Sequence, residues 1–326
     1  MCIALLSTAH PSYSLIIIDN RDEYLRRPTS PAGWWPHPAS NIIGGRDLAR
    51  APHGTWMGVT KEGKVAVLTN YRENTSEQAI GAKSRGAIVC SWLDAPPDQG
   101  RSTRDFVQEM VASPTARNVG GFSLLCGYLN EPLAIVSNRS STMDQIAWVA
   151  TEHGQTLGLS NTVFDDRSWP KILDGERLVN EAIAAHAQAG EDEDTLIARF
   201  LDVLTTNNLP RLSEDATAED YLPHFRKSIF IPALGRREKF VPPTEKATPL
   251  CVESKGGEGT AAGQHDTIDQ SFLHGAYGTQ QQTVVLVSDS GRVRYFERTL
   301  YDNDVKAIPI GRGDRSFEFQ VGQCRE

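Results

Sequence analysis

Tyr13-Ser14-Leu15-Ile16-Ile17-Ile18-Asp19-Asn20-Arg21-Asp22-Glu23 is an apolar run that ends abruptly in charge, and its reading decides the rest of the chain. Residues 2–7, Cys2-Ile3-Ala4-Leu5-Leu6-Ser7, have the same composition, and His10-Pro11-Ser12 separates the two stretches. Strands over 2–7 and 13–19 joined by a turn are therefore predicted. The second strand of such a hairpin returns to the neighbourhood of Cys2, bringing Asn20-Arg21-Asp22-Glu23 with it. Two readings of that tetrad are open: a solvated turn after a buried strand, or charges set against a thiol. In the second, arginine stabilises a thiolate and a carboxylate orients an amine.

Cys2 directly follows the initiator methionine, and a small second residue permits removal of Met1. The mature chain is then expected to begin with a cysteine carrying two reagents. A thiol of pKa near ~8.5 and an α-amine near ~8 can exchange a proton, so that the thiolate attacks an acyl carbon without a separate histidine. The alternative for Cys2 is a small buried hydrophobe. Acyl transfer also needs donors aimed at a developing oxyanion. Asn70, in Leu68-Thr69-Asn70-Tyr71-Arg72-Glu73, and Asn161, in Gly158-Leu159-Ser160-Asn161, each follow an apolar strand. There an amide can be held rigidly, although asparagine also ends strands simply as a turn residue.

Outward from this hairpin, Met57 to Thr60 and Val65 to Thr69 predict a second one, turning at Lys61-Glu62-Gly63-Lys64. Apolar spacing predicts helices over 83–94 and 102–112, with Ser102 and Thr103 as available caps. Strand-like composition returns over 122–129, 133–136, 147–150 and 157–160. Helical periodicity then runs over 170–205, through Ile172, Leu178, Ile183, Leu196, Ile197, Phe200, Leu201 and Leu204. Val284 to Val287 and Val293 to Glu297 flank Ser288-Asp289-Ser290-Gly291 as a last hairpin. Blocks of strands alternating with pairs of helices suit an α+β layered structure with mainly antiparallel sheets, and not a β-α-β repeat. One domain over 1–326 is expected. Residues 236–270 mix Lys, Glu, Pro, Gly and Thr with few large apolar groups, and read as a flexible surface insertion.

Composition excludes several functions. A hydrophobic share of 39% is enough to bury a substantial core. The net charge of -8 argues against nucleic acid, whose phosphates demand a basic surface. That charge is uneven, +3 over residues 1–85 and -11 beyond, so an anionic ligand would favour the N-terminal part. Arg26, Arg27, Arg46 and Lys83 are read either as its partners or as solvated surface. Five cysteines without paired spacing fit a reducing compartment. Leu15 to Ile18 lacks the flanks of a signal peptide, and no stretch reaches the ~20 apolar residues that span a bilayer. An intracellular, cytoplasmic protein without a transmembrane segment is expected. The histidines form no H-x-x-x-H or H-E-x-x-H, so no metal site is predicted. Gly44-Gly45 lacks the spacing of a phosphate-binding loop. Trp34-Trp35, among Pro31, Pro36 and Pro38, either wall an apolar pocket or pack a loop, with packing preferred.

Taken in order, Met1-Cys2, Asn20-Arg21-Asp22-Glu23, Gly54-Thr55-Trp56-Met57-Gly58, Leu68 to Glu73, Gly158 to Asn161, Tyr277-Gly278-Thr279 and Gly291 through Thr299 resemble the NRDE family, from Met1 to about Asp302. That family includes transport and Golgi organisation protein 2, and is itself similar to the N-terminal nucleophile (Ntn) hydrolases near choloylglycine hydrolase and penicillin V acylase. The resemblance implies a four-layer αββα sandwich. It also implies Cys2 as nucleophile, Arg21 and Asp22 beside it, and an oxyanion hole from the Tyr71 backbone N–H and the Asn161 side chain, with Asn70 in support. In the hydrolases the arginine and aspartate are separated by two intervening residues, whereas Arg21 and Asp22 adjoin. Many NRDE relatives read Tyr-Gly-Thr-Arg where this chain has Gln280 as the fourth residue. Two activities follow as expectations: hydrolysis of a linear amide or thioester without a required cofactor, or non-catalytic carriage of haem or an acyl-coenzyme A. Association with Golgi or mitochondria belongs to the second.

Overall fold

A computed structural model of the chain describes residues 1–49, 53–71, 85–95, 101–113, 119–213, 216–235 and 275–322. The expected insertion at 236–270, Lys83 and the start of the helix expected from 83 lie outside the described residues.

Two antiparallel sheets carry the fold. The first has the order β10 (Thr156–Ser160), β1 (Ile3–Ser7), β2 (Tyr13–Tyr24), β11 (Tyr277–Ser288), β12 (Arg292–Thr299) and β13 (Asp314–Gln320). The second runs β3 (Thr29–Trp34), β4 (Ile42–Asp47), β5 (Met57–Thr60), β6 (Lys64–Asn70), β7 (Phe122–Tyr128), β8 (Leu133–Ser137) and β9 (Ala147–Val149). Helices α1 (Gly86–Leu93) and α2 (Thr103–Ala112) cover the second sheet, and α3 (Pro170–Ala189) and α4 (Glu193–Leu204) cover the first.

The alternation of strand side chains builds these layers. Ile17 points into the core between the sheets, with Leu15, Val65, Val67, Val285 and Tyr295. Ile16 and Ile18 point the other way, into the core under α3 and α4 with Ile183, Phe200 and Leu286. A strand buried on both faces needs an unbroken apolar run, which Leu15 to Ile18 supplies. A third core, holding Leu68, Val89, Trp92, Phe106 and Phe122, lies between the second sheet and its helices. The αββα sandwich is therefore present, with three apolar layers between four layers of backbone.

Helix ends follow local chemistry. Ser102 caps α2 through a reciprocal box with Asp105. Pro170 opens α3, Gly190 closes it at φ 62, and Asp192 caps α4 by accepting the Thr195 N–H. The periodicity over 170–205 is thus two helices. Among the described residues, no helix is long and apolar enough to cross a membrane.

One expectation changes. β2 does not stop at Asp19 but runs on to Tyr24, because β11 begins at Tyr277 and pairs with it, Tyr277 opposite Tyr24 and Thr279 opposite Asp22. Asn20, Arg21 and Asp22 are consequently buried inside a sheet and not solvated in a turn. Trp34 and Trp35 both pack, the reading preferred for them, and on different partners. Trp34 packs edge-on against Phe319, whereas Trp35 joins the helix-covered core and donates to the Gly44 carbonyl at 3.1 Å.

Candidate active site

The start of β1 and the ends of β2, β6 and β10 meet at one end of the sandwich. Ile3 lies opposite Asn20 on one side and Ser160 on the other. The same register, carried one residue further, sets Cys2 between Arg21 and Asn161.

Cys2 is 7% exposed, and its Sγ donates to the Asp22 carbonyl oxygen at 3.7 Å. Its own carbonyl accepts from the Ser160 hydroxyl at 2.7 Å and from Lys171 Nζ at 3.2 Å. The Met1 ammonium lies 3.6 Å from Asp22 Oδ2, 3.4 Å from the Asp22 carbonyl oxygen, and donates to the Tyr277 hydroxyl. Thr279 donates to Asp22 Oδ1 at 2.7 Å. Asp22 thus gathers the chain start, β11 and the thiol.

Arg21 points to the face between the sheets. Its guanidinium donates to Gln280 and, at 3.4 Å, to Gln281, with its Cζ 4.5 Å over the Trp56 ring. Gln280 sits at the irregularity where β11 skips a register against β2. Gln280 thus offers its side-chain oxygen to Arg21 as an acceptor. Asp19 and Glu297 share this inter-sheet compartment and are buried to 1% exposure. Burial pushes the Glu297 carboxyl up to about 7, opposed by the Ala32 N–H at 2.6 Å and then by Arg315 and Arg21.

The amides stand next to this group. Asn161, 4% exposed, donates to the Asn70 carbonyl, and Thr69 donates to the Ser160 carbonyl at 2.9 Å, which joins the ends of β6 and β10. The Tyr71 N–H, implied by the resemblance as an oxyanion donor, donates to the Gly121 carbonyl at 2.8 Å. Of the predicted residues, Cys2, Arg21, Asp22 and Asn161 come together, and Asn70 joins them through its carbonyl, not its side chain. Arg27, read as either a partner of an anionic ligand or solvated surface, pairs with Asp47 at 2.7 Å.

Lys171 is the residue that sequence reasoning missed. It is fully buried, and its Nζ donates to the Met1 carbonyl at 2.7 Å. Its signal was spacing: Lys171, Gly175 and Val179 repeat every four residues along the buried face of α3.

Burial dominates the electrostatics. It pushes the Cys2 thiol up to about 11, with the Met1 ammonium opposing and Asp22 and Asp19 adding. It raises the Asp22 carboxyl against the pull of the ammonium and Lys171. It lowers the Met1 ammonium, with Lys171 adding and Asp22 opposing. While Met1 is attached, the Cys2 nitrogen is an amide with no basicity, and the thiol stays protonated. Among the described residues no group of three or more His, Cys, Asp or Glu is placed to hold a metal ion.

A cavity of about 490 Å³ opens at the same end of the sandwich. Ile135, Ala147, Val163 and Phe164 supply its apolar lining, and Ser123 and Arg139 are among its polar residues. Ser123 donates to the Thr162 carbonyl at 3.5 Å, so this wall adjoins Asn161 in the chain.

The profile of the Transport and Golgi organisation 2 family matches residues 1–302. The human Transport and Golgi organization protein 2 homolog is 28% identical, over 95% of this chain and 94% of its own. An uncharacterised Saccharomyces cerevisiae protein is 25% identical, over 98% of this chain and 100% of its own. Among solved structures, a variant of conjugated bile acid hydrolase from Clostridium perfringens superposes with a TM-score of 0.43 at 9% identity, covering 100% of this chain and 99% of that chain.

Proposed function

The chain belongs to the Transport and Golgi organisation 2 family, and from that premise we propose that it hydrolyses a linear amide or thioester through an acyl-Cys2 intermediate once Met1 has been removed. One observation carries this reading: Cys2 is held at the sandwich end between Arg21 and Asn161, its thiol against Asp22 and its carbonyl pinned by Ser160 and Lys171.

Loss of Met1 turns the Cys2 nitrogen into an α-amine in the site. That amine takes the thiol proton, and Sγ attacks the acyl carbon. The tetrahedral oxygen is met by the second amide hydrogen of Asn161, the first being engaged by the Asn70 carbonyl. Collapse breaks the bond to the leaving nitrogen or sulfur, which takes the proton from the new ammonium. Water then attacks the acyl-Cys2 thioester and gives its proton to the amine. A carboxylic acid leaves, and thiol and amine are restored. Asp22, braced by Thr279, keeps the amine in place.

Two measurements test this. The intact mass of the purified protein is expected to lack Met1, and wild type is expected to turn over at least one member of an amide and thioester panel that Cys2→Ala does not touch. Retention of Met1, or equal turnover by Cys2→Ala, overturns the reading.

A second reading is carriage of haem or an acyl-coenzyme A, whose apolar part the lining of Ile135, Ala147, Val163 and Phe164 would take, with Arg139 as its cation beside Asp144 and Asp165. Haem titration without a spectral change, together with no displacement of a fluorescent acyl-coenzyme A, counts against it.

A further inference from the structure

We propose that Lys171 is a positioning residue of the Cys2 site, whose buried ammonium holds the mature Cys2 by its carbonyl and keeps the new α-amine uncharged, ready to take the thiol proton. This rests on the acyl-Cys2 reading and deepens it.

A lysine with no exposed surface is rare unless its charge is matched. The hydrogen bonds of Lys171 go to the first two carbonyls of the chain, Met1 at 2.7 Å and Cys2 at 3.2 Å. Burial lowers the Lys171 ammonium below its ordinary value, and the neighbouring Asp22, Cys2 and Asp19 oppose that by favouring its charged form. Every one of these contacts belongs to the chain start or to the strand beside it. Removal of Met1 takes away one acceptor and leaves the other. The Met1 carbonyl oxygen is about 2.3 Å from the Cys2 nitrogen by covalent geometry, which puts Nζ within about 5 Å of the future amine.

At that distance in a buried site, a cation opposes protonation of the amine and favours the thiolate. The groups around the Met1 ammonium, one residue before the future amine, are the Cys2 thiol, Asp22 and Glu23 from β2, Tyr277 from β11 and Lys171 from α3, and Asp19 of β2 acts on the thiol. Asp22 favours the charged form of the amine, which cannot serve the thiol as a base. Burial and Lys171 both work against that charge while Asp22 opposes them, so the lysine tips the balance towards an amine that can take the thiol proton.

Packing fixes the lysine. At Gly175, one turn along α3, an added Cβ would lie 2.8 Å from Leu5 of β1, and at Gly158 of β10 it would lie 2.8 Å from Ile172. Helix and strands approach closely enough for a short reach from Lys171 to the start of β1.

The test is substrate-free. Wild type, Lys171→Met, Lys171→Arg and Lys171→Gln are checked for folding by thermal unfolding and for loss of Met1 by intact mass. Iodoacetamide alkylation of the Cys2 peptide is then followed against pH by mass spectrometry. Lys171→Gln keeps a donor for the Cys2 carbonyl without the charge, so it separates electrostatics from packing if Lys171→Met does not fold. In the uncharged variants the alkylation midpoint is expected to move up by about one pH unit or more, making the reaction about tenfold slower at pH 7. Lys171→Arg is expected to stay near wild type. A folded, Met1-free Lys171→Gln with the wild-type midpoint overturns this inference alone. A wild-type chain that keeps Met1 overturns the acyl-Cys2 reading and the inference with it.

Discussion

The Thr279 hydroxyl donates to Asp22 Oδ1 at 2.7 Å while accepting the Ile231 N–H at 2.9 Å, so one side chain of β11 orients the carboxylate beside Cys2 and ties it to the loop behind. Removing it leaves a buried carboxyl and a buried N–H short of a partner. Thr279→Val is nearly isosteric, and is expected to destabilise by about 1–3 kcal/mol, whereas Thr279→Ser is expected to cost less than about 1 kcal/mol. Urea unfolding of the pair measures this. Equal stabilities for the two variants would mean that the hydroxyl does not carry the contact.

Glu297 gives the inter-sheet compartment a pH signature. Its carboxyl moves from 4.5 up to about 7 on folding because burial penalises the charged form. The sign follows: the folded state binds the proton more tightly, so stability from this group is full below pH 4.5 and is lost as pH rises towards 7. The loss is on the order of 3 kcal/mol. Glu297→Gln cannot ionise, and its unfolding midpoint is expected to lack the decline that wild type shows over that range. Parallel pH profiles would assign the decline to another group.

Much of this site could be read in the residues, and the exceptions have physical reasons. The 2–7 and 13–19 hairpin was legible because Leu15 to Ile18 must be buried on both faces. The positions of Asn70 and Asn161 were legible because each follows a short apolar strand. The burial of Asn20, Arg21 and Asp22 was not, since their cover comes from polar residues of β11 more than 250 positions away. β3 and β4 escaped because Pro31, Gly33 and Gly44-Gly45 interrupt the alternation that marks a strand. Lys171 was not legible because its burial depends on the close packing of α3 on β1 at Gly175.

Acid should weaken the molecule at a point remote from Cys2. His10 Nδ1 accepts the Ser12 N–H at 3.0 Å, so its Nε2–H donates to His186 Nδ1 at 3.1 Å, and His186 Nε2–H donates to the Asp192 carbonyl at 3.0 Å. This chain of bonds needs both rings neutral, because each Nδ1 must accept. Burial, with the second imidazole adding, lowers His10 from 6.5 to about 4. The unfolded chain therefore takes up the proton first, and stability falls as pH drops from 6.5 towards 4. His10→Gln is expected to start from a lower melting temperature and to show a shallower fall across that window. An undiminished slope in the variant would place the acid sensitivity elsewhere.

The last prediction concerns the approach of α3 to the sheet. A Cβ at Gly175 would meet two Leu5 methyl carbons at 2.8 Å each, and Leu5 is 1% exposed in the core under α3 and α4. Neither the helix nor the strand can yield without moving the other, because Gly158 opposes Ile172 at the same separation one strand over. Gly175→Ala gains helix propensity worth about 1 kcal/mol at an exposed site. Overpacking here costs about 1–3 kcal/mol, so the net change is expected to be destabilising or close to zero, against the stabilisation that propensity alone predicts. The functional effect should exceed the stability effect, since a helix displaced from β1 draws Lys171 away from the Cys2 carbonyl. Gly175→Ala with Leu5→Val, which frees volume at the contact, should recover the alkylation midpoint of Cys2. Failure of that double variant to recover it, with both proteins folded, would show that the close contact does not position the lysine.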